Sequence, residues 1–335
     1  MSLSSYSNNS TSKPTIFQKM LDTFYELLEQ IHKDEVVLFL GSGSSRLCVR
    51  NDGTSGLSGQ ELAMEILMEL NRGEKPDFSV SLTEAAEFYS ACKASARGGL
   101  DRFIEARLKG LQPSMGHFIA TAFPWRAVIT TNYSTEAEEA YAEAQQDGFA
   151  AQHIHVIRHD ADYDYYVEHP QTVPFYKPHG CITIPNDISS RMVITSQDYF
   201  ESMRIRSRIY QEIEHLCTNY NTLFIGYSLN DFTFRNIFYD LHKNLGMWNK
   251  MSFSVGPWRN ELLFKWTQRA MDKNFNTLLI NDNFDTFMLR LLQEQNYPIP
   301  NSLAQKIENL WDFAKGTNKN YFEGFDLQQF IHKNR

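Results

Sequence analysis

Val36-Val37-Leu38-Phe39-Leu40 runs directly into Gly41-Ser42-Gly43-Ser44-Ser45. An unbroken apolar run of this length reads as a strand buried on both faces, as in a parallel sheet. The abrupt change to glycine and serine marks a place of close backbone approach. Glycine carries no Cβ, so its N–H groups reach a phosphate that a larger residue would block. Alone, the stretch is neither a GxGxxG fingerprint nor a P-loop, which would carry a lysine. Its weight comes from three later segments: Ile129-Thr130-Thr131-Asn132-Tyr133, Lys177-Pro178-His179-Gly180, and Leu223-Phe224-Ile225-Gly226-Tyr227-Ser228-Leu229-Asn230-Asp231.

Further strands are predicted at Ala127–Thr130, Ile154–Ile157, Thr172–Tyr176, Thr222–Ile225, Ser252–Val255 and Thr277–Ile280. Helices are predicted at Ile16–Ile31, Leu62–Leu70, Thr83–Ala94, Leu100–Leu108, Gln197–Asn219 and Phe232–Leu245. Short apolar strands separated by helices define an α/β chain with a mainly parallel sheet and helices on both faces. The helices between the first two strands read as an inserted or capping layer. Ligands on such sheets bind beyond the carboxyl ends of the strands, at a switch point. Each of the four segments lies at such an end, and that shared placement is the argument for one site.

Composition excludes several function classes. The chain has 335 residues, is 42% hydrophobic and carries a net charge of −8. An acidic chain without a basic block does not suit direct nucleic-acid binding, although Arg204, Arg206 and Arg208 could form a local patch. No apolar run reaches the roughly 20 residues that cross a bilayer. Residues 1–15 are expected to be a disordered or docking tail, with Met1 to Ser12 rich in Ser and Asn and lacking the apolar core of a secretory signal. The four cysteines, Cys48, Cys92, Cys181 and Cys217, form no CxxC pair. Neither a zinc ribbon nor a disulfide framework is expected, and reduced thiols suit a cytoplasmic protein.

The candidate catalytic residues are Asn132 and His179. A carboxamide orients a water or a ribose hydroxyl without titrating, and an imidazole takes a proton near neutrality. The plainer alternatives are a turn-forming Asn and a structural His. Gly226-Tyr227-Ser228 offers close backbone approach and a hydroxyl, while Asn230-Asp231 either touches ligand or caps the helix beginning near Phe232. His153, His155 and His159 alternate along a half-exposed strand and complete no metal set. His117 is expected to face a helix surface or cap it. Glu136, Glu138, Glu139 and Glu143 read as a solvated helix face.

In order and spacing, these segments resemble the Sir2 family of NAD-using enzymes, and more closely its bacterial SIR2-like branch associated with anti-phage defence. The residues carrying the resemblance are Gly41-Ser42-Gly43-Ser44, Thr130-Thr131-Asn132-Tyr133, Lys177-Pro178-His179-Gly180 and Gly226-Tyr227-Ser228-Leu229. Weaker matches are Gly56-Leu57-Ser58 with Glu61-Leu62, and Val193-Ile194-Thr195 before Asp198-Tyr199. The chain departs from protein-deacylating sirtuins in two ways. It lacks the four cysteines of their zinc ribbon, and Thr131 and Ser134 replace the Gln and Asp that flank their strand-end Asn.

The element pattern divides the chain into a Rossmann-like α/β domain over residues 16–295, with a helical insertion at 46–125, and a C-terminal helical extension at 296–335; the resemblance spans about residues 36 to 290. It implies an NAD+ glycohydrolase that releases nicotinamide and ADP-ribose, with NAD+ as substrate and no metal. Asn132 would position water and His179 would act as base. Gly41, Ser42, Gly43, Ser44, Thr131, Gly226, Tyr227, Ser228, Asn230 and Asp231 would contact the dinucleotide. It further implies a homo-oligomer gated by assembly, with a separate partner such as a HerA-type ATPase. The rival readings are an NAD-dependent deacylase and a scaffold that binds NAD or ADP-ribose without turnover.

Overall fold

A computed structural model describes residues 16–93, 96–168, 171–183, 191–227, 250–258, 260–295, 297–317, 327, 330 and 331. Its centre is a seven-stranded, all-parallel sheet in the order β3-β4-β2-β1-β5-β6-β7. The strands are β1 (Val36–Leu40), β2 (Ala127–Thr130), β3 (Ile154–Ile157), β4 (Val173–Tyr176), β5 (Asn221–Ile225), β6 (Ser252–Gly256) and β7 (Thr277–Asn281). The chain is thus Rossmann-like, as its strand pattern and its resemblance imply. Every strand lies within a residue or so of its predicted bounds. Hydrophobic runs of this kind carry little ambiguity when both faces are buried.

The two faces follow from the period of two along each strand. Val36, Leu38 and Leu40 point into one core, with Val128, Leu223 and Ile225. Val37 and Phe39 point into the other, with Ala127, Ile129 and Phe224. The first core is covered by α1 (Ile16–His32), α5 (Met115–Thr121), α6 (Glu136–Gln146), α11 (Phe284–Glu294) and α12 (Asn301–Thr317). The second is covered chiefly by α9 (Ser207–Asn219), with α7 (Asp160–Glu168) and α10 (Glu261–Phe275) beside it.

A third, smaller core lies over the sheet's end. It is built from α2 (Gly59–Leu70), α3 (Leu82–Cys92) and α4 (Ala96–Leu108), through Leu62, Ile66, Ala86, Leu100 and Ile104. Tyr133, Ile182, Met192 and Ile194 join it from the strand-end loops. Ser58 and Ser81 start α2 and α3 with capping boxes to Glu61 and Glu84, which satisfy N–H groups that a helix start leaves open. α5 lies in the same insertion but packs into the main core instead.

The single helix expected over Gln197–Asn219 is two. α8 (Ser196–Ile205) and α9 are separated at Arg206, whose φ of −111° and ψ of 36° leave the helical region. The kink turns the Arg206 side chain inward, so this residue belongs to no surface patch. The helix expected over Phe232–Leu245 lies outside the described residues, as do residues 1–15.

One contact fixes the sheet's carboxyl edge. The loops after β1 and β5 meet backbone to backbone. Gly43 N donates to Gly226 O at 2.8 Å, and Gly41 N to Ile225 O at 3.0 Å. A Cβ on Gly43 would stand 2.6 Å from Gly226 Cα, and one on Gly226 would stand 2.4 Å from Gly43 C. Gly226 also has a φ of +59°. No side chain fits this seam. Gly226→Ala should therefore lower the unfolding free energy by about 2–4 kcal/mol, from overpacking added to left-handed strain. Gly110→Ala makes the control: its φ is +78° but nothing lies within 4 Å of the added Cβ. Its cost should be only about 1 kcal/mol, so equal urea midpoints for the two variants would refute the seam.

Candidate functional site

The four segments singled out in the sequence follow β1, β2, β4 and β5, which stand side by side as β4-β2-β1-β5. The central position of β1, with chain proceeding to both sides of it, makes this the switch point of the sheet. A cavity of about 910 Å³ opens there. That is at the upper end of the range for ligand sites, about 300–1,000 Å³.

Asn132 follows β2. Its backbone is held by Thr130 Oγ1, which accepts from Asn132 N at 3.1 Å, while Thr131 N donates to Leu40 O at 3.3 Å. Asn132 Nδ2 donates to Gly41 O at 3.0 Å and to Ser45 Oγ at 3.0 Å, with Ser44 Oγ at 3.3 Å. The carboxamide nitrogen is thus spent on the β1 loop, and Oδ1 is the end left for the cavity that Asn132 lines.

His179 follows β4, is 3% exposed and lines the same cavity. Its ring meets Tyr199 edge-on at 5.3 Å, and its carbonyl accepts from Val193 N at 2.9 Å. Gly180, with a φ of +79°, turns the chain sharply after His179. Two buried cations hold this loop. Lys177 is fully buried and its Nζ donates to Ser134 O at 2.6 Å and to Glu138 Oε1 at 2.8 Å. Burial opposes its charge, but Glu138 beside it outweighs that and keeps the pKa above the ordinary lysine value. Arg206 donates to Pro178 O and Arg191 O. Tyr133 Oη donates to Val193 O at 2.6 Å, closing the ring of loops around His179.

Ser42, Thr131 and Tyr227 line the cavity with Asn132 and His179, and so does Ser45. Gly41, Gly43, Ser44 and Gly226 lie behind it in the loop seam. The N–H groups of Gly41, Gly43 and Ser44 are used within the chain, the last on Gly41 O at 2.9 Å. These glycines serve the approach of one loop to another, and those N–H groups are not open donors for a phosphate. Ser228, Asn230 and Asp231 lie outside the described residues. The opposite wall comes from the capping layer and is mixed: Leu57, Leu62, Val80, Leu82 and Leu108 stand beside Ser58, Gln60, Ser81, Thr83 and Glu84.

The acidic face of α6 is not the solvated one its composition predicts. Glu136 is 2% exposed and accepts from Ser45 Oγ, and Glu138 pairs with Lys177. Glu139 alone of the four is exposed, and Glu143 pairs with Lys306 at 2.6 Å. The apolar residues of α6 mark its buried stripe, but nothing in its periodicity reveals that cations wait beneath it. Of the strand histidines, His155 Nε2 lies 3.2 Å from Asp162 O and its ring stacks on Tyr165, while His159 lies 3.4 Å from Asp162. None of them enters a metal set among the described residues.

A parallel sheet covered by helices on both faces, with a cleft at its switch point, is an architecture on which ligands bind beyond the carboxyl ends of the strands. Residues 126–276 match the family model of the SIR2-like domain. Among curated proteins, none matches the chain. Among solved structures, a triple mutant of a Sir2 homologue in complex with 2'-O-acetyl ADP ribose aligns over 85% of this chain and 97% of its own, at 10% identity and a TM-score of 0.37. Alpha-L-fucosidase AlfC from Lactobacillus casei, in complex with its alpha-L-fucose product, aligns over 87% of this chain and 99% of its own, at 10% identity and a TM-score of 0.16. Among the described residues, no helix is long and apolar enough to cross a membrane.

A buried polar cluster backs the cleft. Cys48, His117 and Glu136 bring donor atoms within 4.8 Å of one another, a set whose chemistry suits zinc but supplies only three ligands. Burial holds the His117 pKa down to about 4 and pushes the Cys48 thiol well above its usual value. His117 is therefore no surface residue; it caps α5 from within, with Nδ1 accepting from Ser114 N at 3.3 Å. Asp285 Oδ1 accepts from Ser114 Oγ at 2.7 Å and Gly116 N at 2.8 Å.

Burial raises the Asp285 pKa from 3.8 to about 6, against the pull of those two bonds. The folded state binds this proton more tightly than the unfolded one. Its stabilising effect is therefore complete below pH 3.8 and disappears as pH rises through 6. Asn keeps the acceptor and cannot ionise. Asp285→Asn should be more stable than wild type by about 1–3 kcal/mol at pH 8, the gap closing towards pH 4. Urea unfolding at both pH values measures it, and a gap independent of pH would contradict the assignment.

Proposed function

We propose that this protein is an NAD+ hydrolase that cleaves the bond between nicotinamide and ribose. The observation carrying this reading is that Asn132 and His179, more than forty positions apart in sequence, line one cavity at the switch point of a Rossmann-like sheet. The match of residues 126–276 to the SIR2-like domain supports NAD as the ligand. Ser42, Thr131 and Tyr227 would contact the dinucleotide, and Ser228, Asn230 and Asp231 remain candidate contacts from the sequence. The leucines and Val80 that the capping layer sets along the cavity would limit bulk water at the reacting end.

In this mechanism the nicotinamide leaves with the glycosidic electron pair, and positive charge develops on the ribose. Asn132 Oδ1 accepts a hydrogen bond from the attacking water and aims it. His179 takes a proton from that water or from a ribose hydroxyl. The products are nicotinamide and ADP-ribose. An unrestrained enzyme of this kind would exhaust cellular NAD, so the reading includes control by assembly, with copies of itself or with a separate ATPase-type partner. The exposed apolar row Leu262, Leu263 and Trp266 on α10 offers a surface for such a contact. NAD depletion during phage infection is the setting the resemblance suggests.

Nicotinamide release by the purified chain, with and without acetylated peptide, tests the reading. Asn132→Ala and His179→Ala should each lower turnover by about 10²–10⁴-fold while the melting temperature holds. Wild-type rates in both variants would remove the two residues from the chemistry. Release only in the presence of peptide would make the protein a deacylase.

A further inference from the structure

Glu136 has no part in the steps above, yet it is tied to one of their residues. It is the first residue of α6 and is 2% exposed. The hydrogen bond between them runs one way: Ser45 Oγ donates and Glu136 Oε1 accepts. With its proton committed, Ser45 Oγ meets Asn132 as an acceptor, and Asn132 Nδ2 donates to it at 3.0 Å. Ser44 is committed likewise, giving its proton to Gly41 O at 2.8 Å. Asn132 Nδ2 therefore faces three oxygens with no proton to offer it: Gly41 O, Ser44 Oγ and Ser45 Oγ. A carboxamide turned end for end would set Oδ1 against all three.

We infer that Glu136 is a positioning residue for the reaction at Asn132: it fixes the sense of the Ser45 hydroxyl and so holds the Asn132 carboxamide with Oδ1 towards the cleft. The inference rests on the NAD+-cleaving reading and adds a determinant to it. Without the carboxylate, the Ser45 hydroxyl is free to rotate and to donate to Oδ1. The inverted amide then competes, and it offers the nucleophile a donor where an acceptor is needed. Glu136 Oε2 has no hydrogen-bond partner among the described residues, so Ser45 is the described group on which this carboxylate spends its hydrogen bonding.

The test is a double-mutant cycle on nicotinamide release. Glu136→Ala and Ser45→Ala should each lower kcat by about 10–100-fold, as a misaimed group does, with KM within about threefold. The double variant should be no slower than Ser45→Ala alone, because both changes break one chain of bonds. Glu136→Gln keeps an acceptor oxygen and should fall between wild type and Glu136→Ala. It also replaces Glu136→Ala in the cycle if the latter fails to fold. A wild-type kcat in Glu136→Ala, losses that multiply, or a loss confined to KM would overturn the proposal. So would a stoichiometric metal ion that wild type holds and Glu136→Gln releases, since the carboxylate would then belong to that ion.

A second readout does not depend on turnover. The side-chain N–H resonances of Asn132, assigned by their loss in Asn132→Asp, should exchange with solvent at least about tenfold faster in Glu136→Gln than in wild type. Equal protection overturns the inference. A wild-type protein that releases no nicotinamide defeats the hydrolase reading, while this measurement still decides the role of Glu136.

Discussion

The seam between the β1 and β5 loops is the constraint on which the cleft depends. Two short backbone bonds join Gly41 and Gly43 to Ile225 and Gly226. A Cβ on either side would collide with main chain, which cannot swing aside as a flexible side chain does. The seam sets where Gly41 O lies, and Gly41 O is one of the oxygens that receive the Asn132 amide. A packing rule at the centre of the sheet thus becomes an orientation rule in the site.

Buried charge supplies the second constraint. Lys177 and Arg206 are both buried beside His179; Lys177 donates to Ser134 O in the loop after β2, and Arg206 to Pro178 O in the His179 loop. Lys177 also meets Glu138 on α6, so the helix after β2 and the loop after β4 are held by one pair. Breaking a buried pair of this kind typically costs about 3–5 kcal/mol, because the remaining charge has no water to turn to. Such pairs contribute more to the fixed placement of loops than to net stability. Arg97 repeats the device at the rim, pairing with Asp101 and with Asp198 and so joining α4 to α8.

The central strands were legible because they are short apolar runs closed by turn residues and buried on both faces, whereas β3 and β6 were read from strands that interleave His or Ser. The convergence of Asn132 and His179 was legible from strand-end placement, which parallel topology converts into proximity. The direction of the α6 acids was not. Glu136 and Glu138 look like any exposed helical carboxylates until Ser45 and Lys177 are found beneath them, and those partners come from other strands. Arg206 was hidden for a related reason. Its neighbours Arg204 and Arg208 suggest a charged surface, while the helix break that turns it inward is set by carbonyls at Pro178 and Arg191. The glycines were read as phosphate donors, but local sequence does not tell whether a bare N–H meets a ligand or another loop.

The capping helices carry a compact interior of their own, separate from the two that sandwich the sheet. Roof and floor of the cleft therefore rest on different hydrophobic cores, stitched by Tyr133, Ile182 and the Arg97–Asp198 pair. The smaller unit hides less apolar surface and is the one expected to loosen first on warming. A molecule lodged between them would bridge both, so occupancy would make them melt as one.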